Sequence, residues 1–348
     1  MSPVTELPGL DVAGLSGWLA GAHPELVAGP LSAAVIAGGR SNLTYAVDGA
    51  RMPLILRRPP LGHVLLSAHD MRREHRVISA LAHTAVPVPI AVDVVDDTTE
   101  NRVTGTVFFL MEKAPGTVLA RPAQNAQFTA AGIRRLSTEL VAHLADLHAI
   151  DPAAVGLADF GRPDGYLARQ LSTWRRQLDA SRSRETPELD ALEATLAGGR
   201  PETDRTAIVH GDYRLDNALV VGEADEPHIS AILDWEMATL GDPFVDLGIF
   251  ALYWDIANLP GGFAGAVPSA VDPAAGYPGF DELVEVYAER AGIAVPDLRW
   301  YRAFAAYKLA VILEGIHYRY QAGDTVGEGF DRIGALVEPL ARRGREVR

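Results

Sequence analysis

The chain has 348 residues, enough for about two domains of usual size, and its 48% hydrophobic and 22% charged residues exclude a mainly disordered chain. Against 45 acidic residues stand 31 basic ones; the net charge of −14, with no Lys/Arg-rich run, argues against nucleic acid or anionic membrane as partners. With 0 cysteines, no apolar run near a membrane span and no basic-then-apolar leader in Met1–Asp11, the sequence reads as a cytoplasmic, two-lobed protein without disulfides or a cysteine nucleophile.

Taken in order, Leu43, Tyr45 and Val47 alternate as a strand, and Leu54-Ile55-Leu56 forms a second that Pro59-Pro60 stops. Ser67 is placed to cap a helix running to about His83, with Met71, His75, Ile78 and Leu81 on one face. Strands follow at 90–95 and 103–111, flanking a polar turn from Asp96 to Asn101. A short connector, 111–116, then leads into a mostly helical region. Helices are expected at 127–149, 164–183, 187–197, 243–257, 280–292, 297–321 and 327–343, with short strands at 206–210, 217–221 and 229–234. The Gly/Pro/Ala-rich stretch 259–280 reads equally as a lid or as an ordered excursion. The fold class is α+β: a small β-rich lobe at 1–110, a hinge at 111–116 and a large helical lobe at 117–348.

The chemistry centres on His210-Gly211-Asp212-Tyr213-Arg214-Leu215-Asp216-Asn217, a loop between two short apolar strands. A carboxylate five residues before an amide suits phosphoryl transfer. Asp212 can orient and deprotonate an attacking hydroxyl, while the Asn217 oxygen holds a metal ion. Asp234 ends the apolar run Ile232-Leu233, where a carboxylate can reach phosphate-bound Mg²⁺. Aromatic residues Tyr301, Phe304, Tyr307, Tyr318 and Tyr320 fall at helical spacing, which favours core over a binding pocket. His143 and His148 read as helix histidines rather than ligands.

The segments IVHGDYRLDNALV and AILDWEMATLGDPFVDLG resemble the aminoglycoside phosphotransferase family of kinase-fold small-molecule kinases. With LRRPP at 56–60, SAHDMRREHRVISAL at 67–81 and VPVP at 86–89, the resemblance is to the branch related to kinase-like domains fused to acyl-CoA dehydrogenases. It implies a bilobal protein-kinase-like fold that uses ATP and Mg²⁺. Carried over by position, it implies Asp212 as base, Asn217 and Asp234 as magnesium ligands, and His210 and Asp246 as structural supports of the catalytic loop. It implies Gly39 and Ser41 in a nucleotide loop, and Met111, Glu112 and Lys113 as the adenine-binding hinge. Arg57, paired with Glu74, stands where protein kinases carry a phosphate-binding lysine; the adjacent Arg58 is the alternative, since the pleat turns the two to opposite faces and only one can meet the phosphates. Arg214 occupies the place of a lysine that steadies the γ-phosphate in many protein kinases.

The expected reaction is transfer of the ATP γ-phosphoryl group to a hydroxyl of a small molecule: a hydroxy acid or hydroxyacyl thioester by analogy with the branch, or an aminoglycoside by analogy with the family. The alternative is a non-catalytic nucleotide-binding pseudokinase acting as an interaction module. A protein kinase is disfavoured because Asp234-Trp235-Glu236 replaces D-F-G.

Overall fold

The period-two pattern of the first third builds an antiparallel sheet in the computed structural model, which describes residues 7–36, 42–61, 70–259, 263, 267–323 and 330–347. The chain divides into two units, one of Met1–Pro115 with Ala231–Glu236, the other of Gly116–Ser230 with Met237–Arg348. Residues 231–236, which the sequence places in the helical lobe, thus group with the β-rich unit. The α+β class expected from the sequence is the one observed.

In the first unit, α1 (Val12–Ala22) precedes β1 (Val27–Val35), β2 (Leu43–Ala50) and β3 (Leu54–Arg58); α2 (Met71–Leu81) precedes β4 (Ala91–Asp96) and β5 (Val107–Glu112). The strands pair antiparallel in the order β1-β2-β3-β5-β4. One face buries Tyr45, Val47, Leu54, Leu56, Phe108 and Leu110 together with Leu10 and Leu15. The other meets α2, whose Val77, Ile78 and Leu81 are buried and whose His75 lies edge-on to Phe109. Asp70, not Ser67, caps α2, accepting from the Arg72 and Arg73 amides at 3.0 and 3.1 Å; Ser67 lies outside the described residues.

α1 and β1 are absent from the sequence reading for identifiable reasons. α1 carries Gly14, Gly17 and Gly21, which weaken the helical signal, and buries Leu15 and Leu19 fully, with Val12 and Trp18 partly buried against the core. β1 contains Gly29 and Pro30 and is an edge strand, where proline is tolerated. In the otherwise exposed stretch Asp96–Arg102 before β5, Asp97 is buried. Asp97, 4% exposed, accepts the amides of Arg102, Val103, Thr104 and Gly105 at 2.6–2.8 Å. Burial pushes this carboxyl up, but the four amides outweigh it and hold it below its ordinary value.

In the second unit, β6 (Thr117–Val118) leads to α3 (Ala130–Ala149), α4 (Tyr166–Ser181) and α5 (Pro187–Gly198). Then come β7 (Ala207–Val209), β8 (Ala218–Glu223), β9 (Glu226–Ile232, whose last two residues group with the first unit) and β10 (Thr239–Gly241), followed by α6 (Phe244–Asp255), α7 (Phe280–Ala291), α8 (Arg299–Gln321) and α9 (Val337–Glu346). α8 packs against α4, α5, α6 and α9. Its Tyr301, Phe304 and Tyr307 are core residues, while Tyr318 and Tyr320 are exposed. At the α6–α8 crossing Gly248 lies against the Tyr301 backbone, where a Cβ would clash. The described part of 259–280 is tied down: Trp254 Nε1 donates to the Pro278 carbonyl at 2.9 Å and Asn125 Nδ2 to the Ala270 carbonyl at 2.7 Å. Among the described residues no helix is long and apolar enough to cross a membrane.

Candidate active site

In the first unit the strand pleat separates the two arginines of β3. Arg58 turns to the α1 face, donating to the Gly9 and Thr104 carbonyls at 2.7 and 3.1 Å and to the Pro59 carbonyl at 3.0 Å. Arg57 turns the other way. Its Nη1 pairs with Glu74 of α2, and its Nη2 lies 3.4 Å from Asp234 and 3.8 Å from Glu236. One guanidinium therefore faces three carboxylates. Burial pushes the Glu74 carboxyl up to about 8, and Asp234 and Glu236 add to the rise, against the pull of Arg57. Arg57 itself loses stabilisation to burial, but the three carboxylates raise it above its ordinary value. Arg57 Nε and Glu74 Oε2 are buried with no hydrogen-bond partner among the described residues, so two polar atoms of this cluster are left unsatisfied there.

Asp234 sits at φ 67, a left-handed conformation that aspartate tolerates better than most residues. The turn is pinned by Trp235, whose indole Nε1 donates to the Ile232 carbonyl at 2.9 Å, and by the Ile232 amide bonded to the Pro87 carbonyl at 2.8 Å. Gly39 and Ser41 lie outside the described residues; Asn42 is described, and its Nδ2 donates to Glu236 at 2.8 Å. Met111 pairs with Ile55 and Ala91 in the sheet. The amides of Glu112 and Lys113 donate to the Ile90 and Pro53 carbonyls at 2.8 and 2.9 Å.

In the second unit the loop between β7 and β8 is held from below. Asp246, fully buried in the first turn of α6, accepts the His210 amide at 2.6 Å and the Gly211 amide at 2.8 Å. His148 of α3 bonds Asp246 at 3.2 Å and the Tyr287 hydroxyl at 2.8 Å. Burial alone would push the Asp246 carboxyl up, but His148, His210 and the amides outweigh it and hold it ionised below its ordinary value. Gly211 is left-handed, at φ 84, and a Cβ there would meet the Met237 carbonyl at 2.8 Å. Its carbonyl accepts from Lys308 of α8, a 5% exposed cation that also lies 5.3 Å over the Trp174 ring.

Held this way, Asp212 is 19% exposed. Asn217 Nδ2 donates to the Asp212 carbonyl at 2.9 Å and to its carboxylate at 3.2 Å, which commits the amide nitrogen and leaves the oxygen for a cation. Arg214 lies 3.2 Å from Asp212 and 3.0 Å from Asp216, and its guanidinium stacks 4.6 Å over Tyr253. A small cavity beside Asp212 is walled by Ile249, Leu252, Tyr253, Leu309 and Ile312, with Lys308. A roomier one, about 340 Å³, is lined by 163–168 and 200–206 and reaches Asp242 rather than Asp212. Within each unit, then, the predicted residues converge: Arg57, Glu74 and Asp234 in the first, Asp212, Arg214 and Asn217 in the second. The sequence reading gave no role to Glu236, Asn42 or Lys308; it took His148 for a helix histidine rather than a ligand, and the structure places it on α3, bonded to Asp246 and Tyr287. The Trp235-Glu236 that replaces the usual Phe-Gly was the available signal for Glu236; His148 and Lys308 had none beyond being polar on apolar helices.

Residues 32–304 match a family model described as the phosphotransferase enzyme family. The chain is 32% identical over 337 residues to acyl-CoA dehydrogenase family member 11 of Gallus gallus, covering 93% of this chain and 41% of that protein. It is 32% identical over 343 residues to family member 10 of Mus musculus, covering 97% of this chain and 31% of that one. The chain thus spans less than half the length of these relatives. Among solved structures it is similar to a candidate aminoglycoside phosphotransferase from Ralstonia eutropha, at 33% identity and TM-score 0.79, covering 97% of this chain and 98% of that one. The GDP and kanamycin complex of APH(2″)-IIIa shares the fold at TM-score 0.63 and 14% identity, covering 95% and 98%.

Proposed function

The chain belongs to the phosphotransferase enzyme family, and from that footing we propose that it transfers the γ-phosphoryl group of ATP, with Mg²⁺, to a hydroxyl of a small molecule. The observation that carries the reading is the Asp212 loop. Two amides on Asp246, a lysine on the Gly211 carbonyl and the Asn217 amide fix one partly exposed carboxylate in place.

Phosphoryl transfer asks for positioning and charge neutralisation more than covalent chemistry. Asp212 orients the acceptor hydroxyl and takes its proton. Arg57, kept in place by Glu74, offers its fork to phosphate oxygens. Arg214, stacked on Tyr253, adds a second cation beside the base.

The donor sets suit a hard cation. Asp234 stands in a cluster with one cation to three carboxylates, and Asn217 presents an oxygen. Mg²⁺ favours oxygen ligands and takes several of them from phosphate and water. Asp234 and Asn217 would each hold Mg²⁺, which supplies neutralisation of phosphate charge.

For the acceptor, the charged side chains around Asp212 (Asp212, Asp216, Arg214 and Lys308) balance, and the adjoining wall is apolar. Such surroundings give neither a polycation nor an anionic acceptor an electrostatic advantage. The relatives named for acyl-CoA dehydrogenases are what favours a hydroxy acid or hydroxyacyl thioester over an aminoglycoside. The test is acceptor-dependent ADP release from Mg·ATP, with wild type and Asp212→Asn against a pool of aminoglycosides and a pool of hydroxy acids with their CoA thioesters. Release in the second pool, lost in the variant, is expected. ATP binding with silence in both pools would favour the pseudokinase alternative.

A further inference from the structure

Glu236 has no role in the reaction as described above. The left-handed turn at Asp234 (φ 67) and the Trp235 indole bond to Ile232 shape the chain so that Asp234 and Glu236, two residues apart, both meet Arg57. Glu236 also accepts from Asn42 Nδ2 at 2.8 Å, and Asn42 is 4% exposed at the approach to β2. One carboxylate therefore joins the start of β2, the Arg57 end of β3 and the segment that carries Asp234.

We propose that Glu236 is a positioning residue for nucleotide binding, holding Asn42 and Arg57 in one frame with Asp234. The inference rests on the reading that this unit binds nucleotide phosphates. An amide donating to a carboxylate is a charge-assisted bond, stronger than a neutral pair and costly to lose where the amide is buried. The arginine at position 57 makes the arrangement workable. Its two Nη groups diverge, so Nη1 serves Glu74 while Nη2 serves Asp234 and Glu236.

The experiment is a fluorescence titration of the full chain with mant-ATP and MgCl₂, on wild type, Glu236→Ala, Glu236→Gln, Asn42→Ala and the double alanine variant. Glu236→Ala and Asn42→Ala are each expected to weaken binding by about tenfold, and the double variant by less than the product of the two, because the Asn42–Glu236 bond is lost in each. Glu236→Gln keeps an oxygen for Asn42 and is expected to stay within about threefold of wild type, a rescue that a general folding defect would not give. Glu236→Ala binding as tightly as wild type, or a double variant whose loss is the product of the single ones, would overturn the proposal. Hydrogen exchange of residues 42–48 without nucleotide reads the contact independently: faster in Glu236→Ala, unchanged in Glu236→Gln. If wild type binds no mant-ATP, the nucleotide reading falls; faster exchange in Glu236→Ala would still support the positioning contact, and unchanged exchange would overturn it.

Discussion

His148 and Asp246 are hydrogen-bonded at 3.2 Å between α3 and α6, with side chains 3% and 0% exposed. Because Asp246 is held ionised, His148 Nε2 is the donor, and Asp246 passes the restraint on to the His210 and Gly211 amides. His148→Phe keeps most of the volume and removes that donor. It should destabilise the fold by about 1–3 kcal/mol in urea unfolding. Turnover should fall while mant-ATP affinity holds, since the loop and not the phosphate cluster loses support. An unchanged unfolding midpoint would show that the bond contributes nothing.

Asp212→Asn keeps the shape of the loop and removes the base. Turnover should drop by about a hundredfold or more with nucleotide affinity nearly unchanged. A variant that turns over at the wild-type rate would remove Asp212 from the mechanism.

Arg57→Lys tests whether the fork matters or only the charge. A single ammonium cannot serve Glu74 and Asp234 in the divergent geometry of the two Nη groups. Mg·mant-ATP affinity should fall by about tenfold in the titration described above. Equal affinity would mean that a point charge suffices.

Glu74 gives the protein a pH-dependent stability term. Its folded pKa, pushed up to about 8, stands above its unfolded value of about 4.3, so the folded state holds the proton more tightly. The stability from that proton is complete below about pH 4 and is lost as the pH rises through about 8. Urea unfolding in EDTA should therefore show the stability of wild type, relative to Glu74→Gln, declining from about pH 5 to about pH 9. A difference that stays flat over that range would mean that Arg57 keeps Glu74 ionised throughout.

The sequence by itself determined whatever depends on local order. The spacing of Asp212 and Asn217 on a short loop, and Asp234 at the end of an apolar strand, are readable because one turn of chain brings each group to its place. The pleat likewise dictates that Arg57 and Arg58 face opposite ways. Which face meets Glu74 was settled by packing, with α2 on one side of the sheet and the α1 segment on the other. Asn42 and Glu236 lie 194 residues apart, His148 and Asp246 98, and Gly211 and Lys308 97. No periodicity or propensity encodes such pairs. They exist because burial of apolar helix and strand faces carries a few polar groups inside, where each must find a partner or bear the cost of desolvation.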